Sequence, residues 1–264
     1  MKYFALTKLA VLLLFSLASV TGTLHAETST ATATEITTLP ATISTPGVYF
    51  IKKNFSVNMT SGNAINITAS NVVLDLNGFS IINTNGLSNT ASGITASNPS
   101  GVTLSNVTAR NGTVQGFRYG INFAYSGTDS SLVSKYQVEQ IRVFNAGRYG
   151  IITNGGDAIV RDCLVTQTGG YPSVGNYIGI LGNGSNARII NNHIADVDIT
   201  GTLGTGIWAS RDTSFVIGNT ISGCYRGLYF SGSSGYYALY RDNLVGENVV
   251  QPYVGGGTDA GGNY

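Results

Sequence analysis

From residue 39 onward the chain is a series of short stretches in which apolar and polar residues alternate. Glycine-rich turns separate them, and none carries the 3.6-residue period of an amphipathic helix. A glycine followed by an aliphatic residue recurs at Gly93-Ile94, Gly120-Ile121, Gly150-Ile151, Gly179-Ile180, Gly206-Ile207 and Gly227-Leu228, at spacings of 27, 30, 29, 27 and 21 residues. Ala64-Ile65, 29 residues before Gly93-Ile94, is a candidate start of the series. After each pair comes another strand-like stretch, then an amide or carboxylate, then a further aliphatic residue. Asn106, Gln140, Asp162, Asn192, Asn219 and Asn243 fill that polar slot.

A repeat of this length is one turn of a solenoid, in which each unit buries its apolar face only against its neighbours. The pattern predicts an all-β, single-domain, right-handed parallel β-helix of about seven coils, with about three short strands per coil. Equivalent residues then stack roughly 4.8 Å apart. The aliphatic residue of each pair is expected in the core, and the polar slot is expected to form a hydrogen-bonded ladder inside a turn. By alternation, the glycines and the residues that follow the aliphatics should face outward. The latter are Thr95, Asn122, Ile152, Leu181, Trp208 and Tyr229. The tetrapeptide Arg-Tyr-Gly-Ile occurs twice, at Arg118 and at Arg148. In this register the two copies are consecutive rungs, and the open question is what neutralises two stacked arginines.

The start of the chain reads differently. Lys2 and Lys8 precede and abut the apolar stretch Leu9 to Val20, and Ala26 closes a plausible cleavage site, so residues 1–26 read as a secretory signal peptide. The expected organisation is a flexible leader at 27–38, an N-terminal cap at 39–60, coils over 61–249 and a C-terminal tail or cap at 250–264. No later apolar run is long enough to span a membrane. The expected location is secreted, extracellular or periplasmic. Without residues 1–26 the chain has twelve basic against thirteen acidic residues. Charged residues make up 10% of the whole chain. That balance offers no basic face for nucleic acid. Oligomeric state is not legible.

"TPGVYFIKKNF" (45–55), "NVVLDLNGFSI" (71–81) and the ending "GGTDAGGN" (256–263) resemble the exported right-handed β-helix proteins of the pectate-lyase-like, or pectin lyase fold, superfamily. The resemblance covers roughly residues 39–264. It implies that the Gly-Ile strand is the first strand of each coil and that the amide ladder lies between the second and third. It also implies a polysaccharide groove on the outer face of the first-strand sheet. Activity is left open, since the superfamily includes pectate and pectin lyases, polygalacturonases, alginate epimerases and phage tailspikes. The polygalacturonase patterns Asn-Thr-Asp, Asp-Asp, Gly-His-Gly and Arg-Ile-Lys are absent.

Candidate chemistry is sparse. No cofactor is expected, and the row of outward residues has no Asp or Glu to supply the six to eight oxygens of Ca²⁺. The substrate-binding candidates are Trp208 and Tyr229, as stacking surfaces for sugar rings, with Asn122, Arg118 and Arg148. The alternative for Trp208 and Tyr229 is burial under a loop or the tail. Catalytic residues are unknown, with Asp196, Asp198, Arg148 and Arg226 as weak candidates. Asp196 and Asp198, if extended, would lie about 6.6 Å apart on one side, near the separation used by inverting glycosidases. Asp129 and Lys135 sit in the long segment 124–136, a candidate groove wall. His193 reads as a surface or turn residue, Asp75 as structural, and the pairs Arg161-Asp162, Arg211-Asp212 and Arg241-Asp242 as local salt bridges. Cys163 and Cys224 fall in different rung positions and are expected as separate buried thiols. Three functions fit: a polysaccharide or cell-surface glycan binder, a divergent polysaccharide lyase, epimerase or hydrolase, and a structural or adhesin-like solenoid.

Overall fold

The computed structural model describes residues 32–97, 104–123, 134–172, 175–198, 201–211, 213–231, 238–246 and 248–264. Residues 1–31, with the proposed signal peptide, lie outside it, as do Asp129 and Asp212. The described residues contain 24 strands and no helix. They wind as a right-handed parallel β-helix of about seven coils.

Three parallel sheets run the length of the solenoid. The first contains Ala41–Ile43, Asn63–Ile67, Ser92–Ala96, Tyr119–Phe123, Tyr149–Asn154, Tyr177–Asn183, Gly204–Ala209, the second half of Thr220–Phe230, and Val249–Gly255. The second runs from Thr34–Glu35 to Thr258–Asp259, and the third from Phe55–Val57 to Leu244–Val245. Each sheet contributes one aliphatic ladder to the core. Ile65, Ile94, Ile121, Ile151, Ile180, Ile207 and Leu228 stack in the first sheet, and each is at most 1% exposed. Ile81, Val114, Val143, Val165, Ile194, Ile221 and Val245 stack in the third. Burying each such side chain contributes about 1.5–3 kcal/mol. Like-on-like stacking keeps the fit constant from coil to coil.

The glycine column does not face outward as alternation predicts. A Cβ on Gly150 would lie 2.4 Å from Val165 Cγ1 and 2.6 Å from the Gly179 carbonyl oxygen. Gly93, Gly120, Gly179, Gly206 and Gly227 show the same kind of clash, with Val114, Val143, Ile194, Ile221 and Val245. The glycines therefore face the core, opposite the third-sheet ladder. Two consecutive residues, Gly and Ile, point inward, and strict alternation is broken here. Glycine is needed because the third-sheet aliphatics fill the space its Cβ would take.

The polar slot also needs correcting. Asn192, Asn219 and Asn243 do form a buried ladder at the corner between the second and third sheets, and Asn263 extends it. Each Nδ2 donates to the next coil's Oδ1 at 3.0 Å, and each Oδ1 also accepts a backbone N–H from the coil before. Gln140 and Asp162 sit one residue earlier, in a column with Asn111, Asn191, Gly218 and Asp242. Every member of that column has a positive φ, between 54° and 66°. Short polar side chains and glycine tolerate this left-handed conformation best. Asn106 lies at a different corner, between the first and second sheets, in a second left-handed column with Asn71, Lys135, Asp157, Asn186 and Thr213. In the ladder slot itself the earlier coils place Gly112, Ile141 and Cys163.

Both ends continue the stacking. Residues 39–60 carry three strands that pair in register with the coil above, and 250–264 carry strands that pair with the coil below. Part of the proposed leader is ordered: Thr34–Glu35 pairs with Gly47–Phe50, and Ile36 is buried. Cys163 and Cys224 are separate buried thiols.

Candidate functional site

Because Gly and Ile both turn inward, the outer face of the first sheet carries two columns three residues apart. One column is Asn63, Ser92, Tyr119, Tyr149, Ile178, Thr205, Arg226 and Gln251, of which Ser92, Ile178 and Thr205 are buried. The other is Asn66, Thr95, Asn122, Ile152, Leu181, Trp208, Tyr229 and Val254. Neither holds a carboxylate, so the face does not fit a calcium ion, which would need several. Among the described residues no three His, Cys, Asp or Glu side chains gather as a metal site.

Aromatic rings and arginines concentrate at two places on this face. Near the middle, Tyr119 and Tyr149 stack with centroids 5.4 Å apart. Arg118 lies over Tyr119 at 4.9 Å and over Tyr171 at 4.3 Å. Arg148 lies over Tyr149 at 5.0 Å, with Nη2 packed against Gly175. The corner that holds them is built by stacked turns: the Arg148 N–H donates to the Arg118 carbonyl at 2.9 Å, and Tyr171 N–H donates to the Gly147 carbonyl. Burial holds the Tyr149 hydroxyl above its usual pKa, with Arg148 pulling the other way. Toward the C-terminus, Trp208 and Tyr229 pack at 5.0 Å, and Arg226 lies over Tyr229 at 5.2 Å and Tyr225 at 5.8 Å. Trp208 Nε1 donates to Ser231 Oγ.

The five sequence candidates for binding thus share one face. Asn122 stacks between Thr95 and Ile152 in the outer column, and its Oδ1 is buried without a partner. Trp208 and Tyr229 are partly exposed, and the strand Val249–Gly255 lies beside Tyr229 as the next rung. The question of what neutralises the arginines has an unexpected answer. Among the described residues no carboxylate forms an ion pair with Arg118, Arg148 or Arg226, and tyrosine faces hold all three. Tyr119, Tyr149 and Tyr171 pack against these arginines, and the sequence reading missed them. The repeated Arg-Tyr was the available signal, but placing the glycine outward hid the tyrosine column.

Asp196 lies within the strand His193–Val197 and Asp198 just beyond it, but neither has extended backbone angles. Their φ values are +57° and +50°, so the 6.6 Å separation does not apply. Asp198 Oδ2 accepts the Leu203 N–H at 3.2 Å and closes its own loop. Both border a cavity of about 350 Å³ with Leu87, Asn145, Gln167 and Thr168, at the corner between the third and first sheets. Lys135 is not on the first-sheet side. It lines a cavity of about 670 Å³ with Asp157 and Arg188 against the second sheet. His193 is exposed just after the amide ladder. Asp75 pairs with Arg110 at 2.9 Å and caps the Asn77 N–H. Arg161 pairs more closely with Glu139 than with Asp162, whereas Arg241 does pair with Asp242.

No protein-family model and no curated protein sequence matches the chain. Solved structures do. A single mutant and a double mutant of the tailspike protein of E. coli bacteriophage HK620, each in complex with a pentasaccharide, superpose with a TM-score of 0.57 at 16% identity. Each match covers 81% of this chain, which spans 44% of the tailspike's length. At that identity the likeness is one of fold: a parallel β-helix.

Proposed function

We propose that this chain is an exported glycan-binding β-helix of the pectate-lyase-like type, and that it holds a polysaccharide along the outer face of the first sheet. The observation that carries the reading is the composition of that face. Two aromatic clusters, Tyr119–Tyr149–Tyr171 and Trp208–Tyr229, stand on it beside arginines, and neither outer column holds an acid. Flat, partly exposed rings suit the apolar faces of sugars, and carbohydrate sites commonly combine aromatic stacking with a few polar groups. The tailspike relatives of the fold were captured with a pentasaccharide, which supports a glycan as partner. The reading invokes no cofactor and no metal ion.

A second reading rests on Asp196 and Asp198, which border the same cavity at the groove's edge. It makes the chain a divergent hydrolase or lyase. Electrophoresis of the purified protein through gels containing individual polysaccharides, with parallel assays for new reducing ends and unsaturated products, separates the two. Retardation without turnover, reduced by Trp208→Ala, supports binding. Turnover abolished by Asp196→Asn or Asp198→Asn establishes the second reading. No retardation on any glycan contradicts both.

A further inference from the structure

We infer that Arg118 and Arg148 form a subsite for an anionic oxygen group, carboxylate or sulfate, carried by the bound glycan. The inference rests on the glycan-binding reading and names the chemical class of its ligand.

The two side chains grow from adjacent rungs, one strand spacing apart, and their charges repel. A protein usually relieves such a pair with an acid. This one does so elsewhere: Arg110 pairs with Asp75, Arg161 with Glu139 and Arg241 with Asp242. At Arg118 and Arg148 no carboxylate of the described residues is within ion-pair distance. The guanidiniums are instead held by Tyr119, Tyr149 and Tyr171 at 4.3–5.0 Å. Ring faces fix a guanidinium's orientation without accepting its in-plane N–H groups, although Arg148 also hydrogen-bonds the Tyr149 hydroxyl. The Nε atoms of Arg118, Arg148 and Arg226 are all buried without a hydrogen-bond partner, and no other arginine of the described residues shares this feature. Each guanidinium is therefore partly desolvated, oriented and uncompensated. An oxyanion supplies what is missing, because it accepts from several N–H groups at once and offsets both charges. General attraction to polyanions does not explain such a site, since the chain without residues 1–26 is close to neutral.

The test compares the full chain with Arg118→Gln, Arg148→Gln and the double variant on three immobilised probes: polygalacturonate, dextran sulfate and neutral dextran. Thermal unfolding verifies that each variant is folded. Arg118→Lys serves as a variant that keeps the charge and loses the fork. The wild type should bind one or both anionic probes more tightly than dextran, and weaken as NaCl rises. Loss of one charge-assisted contact should reduce anionic binding roughly tenfold or more. The double variant should approach the dextran level, and Arg118→Lys should recover only part of the binding. Preference for polygalacturonate assigns a carboxylate, and preference for dextran sulfate assigns a sulfate. Two results overturn the subsite: a folded double variant that binds both anionic probes as the wild type does, or anionic probes held no better than dextran. If dextran is bound and Trp208→Ala weakens it, the glycan-binding reading stands while the subsite alone is judged on the anionic probes. If no probe is retained, the glycan-binding reading fails and the subsite falls with it.

Discussion

Gly150→Ala tests which way the glycine column faces, because the inward and outward placements give opposite results. The new Cβ would stand 2.4 Å from Val165 Cγ1 and 2.6 Å from the Gly179 carbonyl oxygen. Val165 is fully buried and, being β-branched, has little rotamer freedom with which to yield. The carbonyl belongs to the next rung, so relief there means opening the spacing between coils. Overpacking of this kind costs about 1–3 kcal/mol, and the second clash places this site at the upper end. Stiffening of the unfolded chain by alanine offsets about 0.4–1 kcal/mol of that. The net expectation is a loss of about 2 kcal/mol, read as a lower urea midpoint at unchanged slope by far-UV circular dichroism. Gly256→Ala is the control, since nothing lies within 4 Å of its Cβ position. It should be neutral. Val165→Ala should partly rescue Gly150→Ala, with a coupling of about 0.5 kcal/mol or more. Gly150→Ala within about 0.5 kcal/mol of the wild type would refute the inward column.

Asn219→Ala removes an acceptor used by the Asn192 N–H and Nδ2 and a donor used by Asn243 Oδ1, all buried. At about 1–3 kcal/mol per orphaned group it should cost about 3 kcal/mol or more in the same denaturation assay. Burial pushes the thiols of Cys163 and Cys224 up to about 12. The folded state resists losing those protons while the unfolded state loses them near pH 9. Their stabilising effect is therefore complete below pH 9 and is lost progressively from there to pH 12. Urea midpoints should hold to pH 9 and fall by pH 10.5, with a smaller fall in Cys163→Ala, and a thiol reagent should find neither cysteine at pH 8. Asp198→Ala removes the acceptor of the Leu203 N–H and should cost about 1 kcal/mol without changing retention on glycan gels.

The fold was legible because its signal repeats. Six Gly-aliphatic pairs fix the coil length, and Ile94 through Leu228 stack as their spacing requires. Two details were not legible for one physical reason: alternation was applied where the backbone breaks it. Gly120 and Ile121 both face the core, so Tyr119 emerges outward beside Asn122, and the tyrosine column was hidden. At the corners, Gln140 and Asp162 look like ladder members in sequence. They are left-handed residues one position before it, and short polar side chains suit both roles. Asp196 and Asp198 were placed on an extended segment because nothing in their neighbours signals two positive φ angles. Arg118 and Arg148 were correctly paired as adjacent rungs, but their tyrosine clamp depends on Tyr171, which approaches from a turn 53 residues after Arg118.

Trp208 is the chain's single tryptophan and stands at the C-terminal end of the proposed binding face. Its emission therefore reports on that face alone. Titrating the protein with oligosaccharides cut from a polysaccharide that retards it in gels should shift Trp208 emission saturably, at the midpoint found by calorimetry. Calorimetric binding with unchanged Trp208 emission would contradict the claim that the glycan lies along the first sheet.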